Sequence, residues 1–123
     1  MLPLEDLKGK FAIVAGGVGL IGLEITKALQ KLDCSVLVID KTLGDNLLDF
    51  KTLDECVRLG PDIFINASYP KGISDHLEAF YKSTLLVAGG MARNNGGSII
   101  NLASIYGSIA PRNWMESMAT ISI

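Results

Sequence analysis

Residues 11–40 confine this chain to few folds, because they read as a strand, a glycine-rich turn, a helix and a second strand in unbroken succession. Phe11 to Ala15 (FAIVA) is a continuous apolar run that ends in glycines, the pattern of a strand buried on both faces of a parallel sheet. From Ile21 onward, Ile21, Ile25, Ala28, Leu29 and Leu32 recur at helical spacing, while Glu24, Lys27, Gln30 and Lys31 fill the opposite side, which predicts an amphipathic helix. Ser35 to Ile39 (SVLVI) is another apolar run, closed by Asp40. Two strands and a helix in about 30 residues make one parallel crossover unit, and such units are right-handed.

The turn inside this unit, Ala15-Gly16-Gly17-Val18-Gly19-Leu20-Ile21-Gly22, carries Gly16, Gly19 and Gly22 at threefold spacing. Gly16 or Gly17 permits the tight turn, Gly19 lets a backbone approach a pyrophosphate, and Gly22 lets the helix pack closely on the sheet. Unpaired N–H groups and the helix dipole favour phosphate oxygens at such a corner. The candidate dinucleotide-binding residues here are therefore Gly16, Gly17, Gly19, Leu20, Ile21 and Gly22; the alternative is a tight turn that holds no ligand. Asp40 ends the second strand 18 residues after Gly22, near the position of an acid that hydrogen-bonds a ribose hydroxyl. A carboxylate there repels the 2′-phosphate of NADP, so NAD is favoured over NADP, although Lys41 offsets part of that repulsion. The plainer reading is that Asp40 only caps the strand.

Downstream, strands and helices keep alternating. The eight residues between Asp40 and Asp49 are too few for a full crossover helix, so this part of the fold is expected to be trimmed. Thr52 to Leu59 can form a short helix before Gly60 and Pro61, and Asp62 to Ala67 is a third strand. Asp75 to Arg93 reads as a long helix with Leu77, Phe80, Tyr81, Thr84, Ala88 and Met91 on one side. Gly89 and Gly90 inside it predict a close helix contact or a break. After the turn Asn94 to Gly97, Ser98 to Ala103 is the last clear strand. The pattern is that of an α/β, Rossmann-type, doubly wound parallel sheet of about five strands, with its ligand at the strands' carboxyl ends.

Composition narrows the function further. A chain of 123 residues with 49% hydrophobic content can bury one core, so residues 1–123 are expected to form a single nucleotide-binding domain. Charged residues are 20% of the total and the formal net charge is -2, which leaves no broad basic surface for nucleic acid or an anionic membrane. Cys34 and Cys56 are separated by 21 residues and have no neighbouring Cys or His, so no metal cluster or redox pair can be drawn. The start, MLPLEDLKGK, lacks the pattern of a secretory signal, making the cytoplasm the expected compartment. The longest candidate span, Leu85 to Ala92, is far short of a membrane-crossing segment.

Several stretches together resemble the short-chain dehydrogenase/reductase family. LKGKFAIVAGG resembles its opening, with Ala15 where a threonine is usual. Asn66-Ala67-Ser68 resembles part of its NNAG segment, beside the nucleotide, and Asp49 resembles its adenine-contacting acid. GGSIINLASIYG, residues 96–107, resembles the strand that ends in the family's substrate-orienting serine, which falls on Ser104. The resemblance implies an NAD(P)-dependent oxidoreductase that moves hydride between a nicotinamide and a small alcohol or carbonyl substrate. A helix position that often carries an asparagine in the family falls on His76, either a proton relay or a solvated residue at a helix start.

The family's YxxxK pair is missing: Tyr69, Tyr81 and Tyr106 are followed four places on by Ile73, Leu85 and Ala110, and no lysine follows Lys82. The chain is therefore expected to represent a truncated front half with little or no turnover, its sheet incomplete at the C-terminal edge. Residues 108–123 are expected to be loop or disordered, with Trp114, Met115 and Met118 either lining an apolar pocket or simply packing. An exposed last strand invites homo-oligomer formation. The rival from another class is a non-catalytic nucleotide-binding module, a pseudoenzyme or regulatory or assembly protein. An extended-type sugar-nucleotide epimerase also needs the absent tyrosine, and a methyltransferase would not explain INAS and SIINLAS together.

Overall fold

The computed structural model describes residues 4–44, 49–68 and 73–102. In chain order these form β1 (Phe11–Ala15), α1 (Leu20–Lys31), β2 (Ser35–Ile39), α2 (Phe50–Arg58), β3 (Ile63–Asn66), α3 (Ile73–Arg93) and β4 (Ser98–Asn101), with single 3-10 turns at Leu4–Leu7 and Lys41–Leu43. The strands make one parallel sheet in the order β2-β1-β3-β4. Among the described residues the sheet has the four strands that the sequence places, and no fifth.

Successive side chains of a strand point to opposite faces, and the two apolar clusters separate accordingly. Ala12, Val14, Ile63 and Ile65 share one face with Leu29 of α1 and with Cys34. Ile13, Ala15, Ile39 and Phe64 share the other with Leu53 and Cys56 of α2 and Val87 and Met91 of α3. With helices on both faces, the sheet is doubly wound. The central strand β1 explains its own composition: Ala12, Ile13 and Val14 are 0% exposed, so neither face tolerates a polar residue.

The helices bury a face turned part of the way from the expected one. On α1 the buried residues are Gly22, Thr26 and Leu29. Ile25 and Leu32 are half-buried, while Ile21 and Ala28, expected inside, are exposed. On α3 the buried line is Ser83, Val87, Gly90 and Met91, with Phe80 and Thr84 at its margin; Tyr81 and Ala88 face outward. Small residues share the buried line with Leu29 on α1 and with Val87 and Met91 on α3. At Gly90 an added Cβ would stand 2.5 Å from Val57 Cγ1. Gly90 therefore marks a close crossing of α2 and α3, whereas a Cβ on Gly89 would meet only Arg93 of the same helix, and α3 runs through both without a break.

Candidate functional site

The chain leaves β2, returns across β1 and continues outward through β3 and β4, so the strand order reverses between β1 and β3. A crevice outside the carboxyl ends of the strands is the usual ligand position at such a reversal. Two pieces of backbone meet there, the glycine turn after β1 and the Ala67-Ser68 segment after β3.

Gly16 makes the turn. Its φ of +79° lies in the left-handed region that side chains disfavour. Its N–H donates to the Ile39 carbonyl at 2.6 Å, tying the turn to the end of β2. A Cβ on it would meet Ala67 O at 2.6 Å and Ser68 N at 2.7 Å, so the opposing peptide occupies that space. Gly22 sits directly on the Gly16 carbonyl, which brings the start of α1 down onto the turn. Thr26 reinforces this contact by donating its hydroxyl to the Gly22 carbonyl at 2.8 Å.

Gly19 is the N-cap of α1 and supplies no side-chain capping bond. The first amides of a helix have no intrahelical acceptor, and with the positive end of the helix dipole they can take anionic oxygens. Asp40 follows β2 directly and reaches the same turn: the Val18 N–H donates to its Oδ2 at 3.0 Å. The acid and the glycine turn, 22 positions apart, are thus hydrogen-bonded to each other. Lys41, in the next 3-10 turn, is exposed. Val18, Leu20 and Ile21 surround the turn with exposed apolar surface, Leu20 being 90% exposed. The arrangement sets the first amides of α1 beside a carboxylate and an apolar rim, a set of groups that could hold a dinucleotide.

At the end of β3, Asn66 is 0% exposed. Its Nδ2 donates to Ser83 Oγ at 3.3 Å, while its Oδ1 accepts from Ser68 Oγ at 2.7 Å and from Ser68 N at 3.3 Å. Asn101, its register partner on β4, donates to Thr84 Oγ1 at 3.0 Å. Two paired strands therefore end in asparagines that bind consecutive hydroxyl residues of α3. Sequence reading singled out Asn66, Ala67 and Ser68 but missed Ser83, whose only signal is a serine on the helical repeat of Phe80, Val87 and Met91.

Asp49, the adenine-contacting acid in the resemblance, has a capping role in the structure. It is the N-cap of α2, its Oδ1 accepting from Lys51 N at 3.1 Å at an exposed position. His76 falls on the first turn of α3. Ser104, Trp114, Met115, Met118 and the whole of 108–123 lie outside the described residues. Among the described residues no helix is long and apolar enough to cross a membrane. No group of three or more His, Cys, Asp or Glu could hold a metal ion there either.

No protein-family model matches the sequence, and neither does any curated protein. Solved structures do match. A short-chain type dehydrogenase/reductase from Mycobacterium marinum is 17% identical, with a TM-score of 0.73 over 90% of this chain and 63% of that one. A short-chain dehydrogenase from Leptospira borgpetersenii, solved with bound NAD+, is 18% identical, with a TM-score of 0.70 over 94% and 59%. A structure named as a ribose-5-phosphate isomerase from Brucella melitensis is 18% identical, with a TM-score of 0.72 over 84% and 55%. This chain spans less than two thirds of the length of each. The described residues have the Rossmann-type fold of these structures, and a fold shared by proteins with such different names does not choose a reaction.

Proposed function

We propose that this chain is the nucleotide-binding part of an NAD(P)-dependent oxidoreductase of the short-chain dehydrogenase type. The observation that carries the reading is the bond between Asp40 and the glycine turn, because it brings the acid expected to bind a ribose against the turn expected to bind phosphate, at the reversal of strand order. In this reading the amides of Gly17, Leu20, Ile21 and Gly22 serve the pyrophosphate, Gly19, whose own N–H donates to the Gly16 carbonyl at 3.1 Å, keeps the approach free of a side chain, Gly16 shapes the corner, and Asp40 takes the adenosine ribose. Asp49 lies toward the adenine, and Asn66, Ala67 and Ser68 line the far wall. NAD is favoured over NADP because Asp40 is a carboxylate, with Lys41 beside it softening the preference. A matching solved structure named as holding bound NAD+ supports a nicotinamide coenzyme for this chain.

When bound, such a coenzyme supplies or accepts the hydride exchanged with an alcohol or carbonyl carbon. The chain's own parts hold and orient it. By the family resemblance, Ser104 is the residue that would hydrogen-bond the substrate oxygen. A proton donor with an adjacent lysine is not found at YxxxK spacing among these 123 residues, so little or no turnover is expected from them alone. The same observation favours a second reading, a non-catalytic nucleotide-binding module. We also assign residues 1–123 to one domain, the cytoplasm as its compartment and a second copy as its partner. Edge strand β4, with Ile100 48% exposed, is the element offered for pairing, and a concentration-independent monomer in sedimentation would remove that assignment.

Titration of NADH fluorescence against the purified chain tests the central reading. Saturable binding, weakened about tenfold by Asp40→Ala through loss of a charge-assisted hydrogen bond of roughly 1.4 kcal/mol, is the expected result. Absence of saturable binding to folded protein would overturn it, and measurable NAD reduction by the wild-type chain would separate the enzyme from the module.

A further inference from the structure

We propose that Ser83, on α3, is a positioning residue for the nucleotide corner, acting through Asn66 on the Ala67-Ser68 peptide that closes against Gly16. The proposal rests on the reading of that corner as a dinucleotide site, and it adds an element that the glycine motif does not contain.

The argument is one of donors and acceptors. A serine hydroxyl has a single proton, and Ser83 directs it into its own helix, donating to the Phe80 carbonyl at 3.3 Å. Toward Asn66 it therefore offers oxygen lone pairs. Of the two ends of the Asn66 amide, only the NH2 can meet them, and Nδ2 lies 3.3 Å from Ser83 Oγ. That choice turns Oδ1 the other way, where it accepts both from the Ser68 hydroxyl and from the Ser68 N–H. With the amide reversed, the NH2 would face the Ser68 backbone N–H, donor against donor. Ser83 and Asn66 are both 0% exposed, so water does not compete for the bond between them.

The peptide held in this way is the one that matters to the corner. Ala67 N donates to the Ala15 carbonyl at 2.8 Å, and the Ala67 carbonyl and Ser68 N occupy the space a Cβ on Gly16 would need. A relay thus runs from the α3 backbone through Ser83, Asn66 and Ser68 to the wall of the glycine turn. Each link is a hydrogen bond or a backbone contact.

The test compares wild type, Ser83→Ala, Ser68→Ala and the double variant of the full chain, each without and with NADH. In the cofactor-free state, Ser83→Ala is expected to speed amide exchange at residue 68 and Gly16 about tenfold, while Val14 and Phe64 in the strands keep their protection. NADH affinity should fall about fivefold, and the double variant should be no weaker than the weaker single variant, since both substitutions break one chain of contacts. Unchanged exchange at residue 68, uniform acceleration across the strands, or additive losses in the double variant would each overturn the proposal. Should wild type fail to bind NADH, the dinucleotide reading falls, while the exchange comparison still decides whether Ser83 sets this peptide. If Ser83→Ala does not fold, Ser68→Ala carries the test. Its Asn66 side-chain NH2 should remain slowly exchanging because Ser83 still holds it, and loss of that protection would show that Ser68 orients the amide.

Discussion

The two walls of the crevice are built by opposite means. After β1, the backbone is shaped by missing side chains: Gly16 bends left-handed against a neighbouring peptide, and Gly22 settles on the Gly16 carbonyl. After β3, it is shaped by side chains that are present and polar, with Asn66 held between Ser83 and Ser68. The first wall presents bare amides at the start of α1, and the second fixes how closely the opposite peptide approaches. A glycine turn without an anchored neighbour would be a loose loop, and an anchored peptide without glycines opposite it would collide.

The comparison breaks most sharply at Gly16. Alanine there keeps a left-handed φ that costs about 1–2 kcal/mol and drives a methyl into the Ala67 peptide, an overpacking worth about 1–3 kcal/mol. Gly16→Ala should therefore lower unfolding stability by roughly 3 kcal/mol in urea and abolish saturable NADH binding. A loss under 1 kcal/mol would mean that the second wall yields, against the idea that it is anchored. The polar wall should give way more gently. Asn66→Ala removes a buried donor and a buried double acceptor, so a loss of about 2 kcal/mol is expected, with amide exchange accelerated at Ser68 before any strand amide. If urea unfolding places Asn66→Ala below Gly16→Ala in stability, the ranking of the two walls is reversed.

How much of this was legible beforehand follows from the same contrast. Glycine spacing, the apolar run of β1 and the acid after β2 are sequence signals of backbone needs, and the fold they imply is the one observed. Helix orientation was read less well. Periodicity groups Ile21 and Ala28 with Ile25, Leu29 and Leu32, and Tyr81 and Ala88 with Phe80, Thr84 and Met91; Leu29 and Met91 are buried and Ile25, Leu32, Phe80 and Thr84 half-buried, while the buried lines also take in Gly22 and Thr26 on α1 and Ser83 and Gly90 on α3 and leave the other four exposed. Hydropathy weighs side chains by their burial energy, but a helix that packs backbone-close buries whichever residues are small enough. Thr26 and Ser83 satisfy their hydroxyls on helix carbonyls one turn back, at Gly22 and Phe80. No sequence signal except position distinguishes such residues from solvent-facing ones. The exposed Val18, Leu20 and Ile21 show the converse, apolar residues kept outward around a turn that the Rossmann pattern assigns to ligand binding.

The smallest expected effect separates local structure from ligand contact at Asp49. As N-cap of α2, its carboxylate accepts from Lys51 N and lies near the positive end of that helix. Asparagine caps about as well as aspartate, whereas alanine does not. If capping is the principal role, Asp49→Asn should stay within about 0.5 kcal/mol of wild type and Asp49→Ala should lose about 1 kcal/mol, with NADH affinity unchanged in both. If the carboxylate instead contacts the adenine, the pattern turns around: Asp49→Asn keeps its stability yet binds NADH more weakly. Paired urea unfolding and fluorescence titration resolve the two, because a cap is read in the stability of the free chain and an adenine contact only in the complex. The outcome also sharpens the contrast between the walls, since a pure cap would leave Asp40 as the acidic residue through which the first wall recognises a nucleotide.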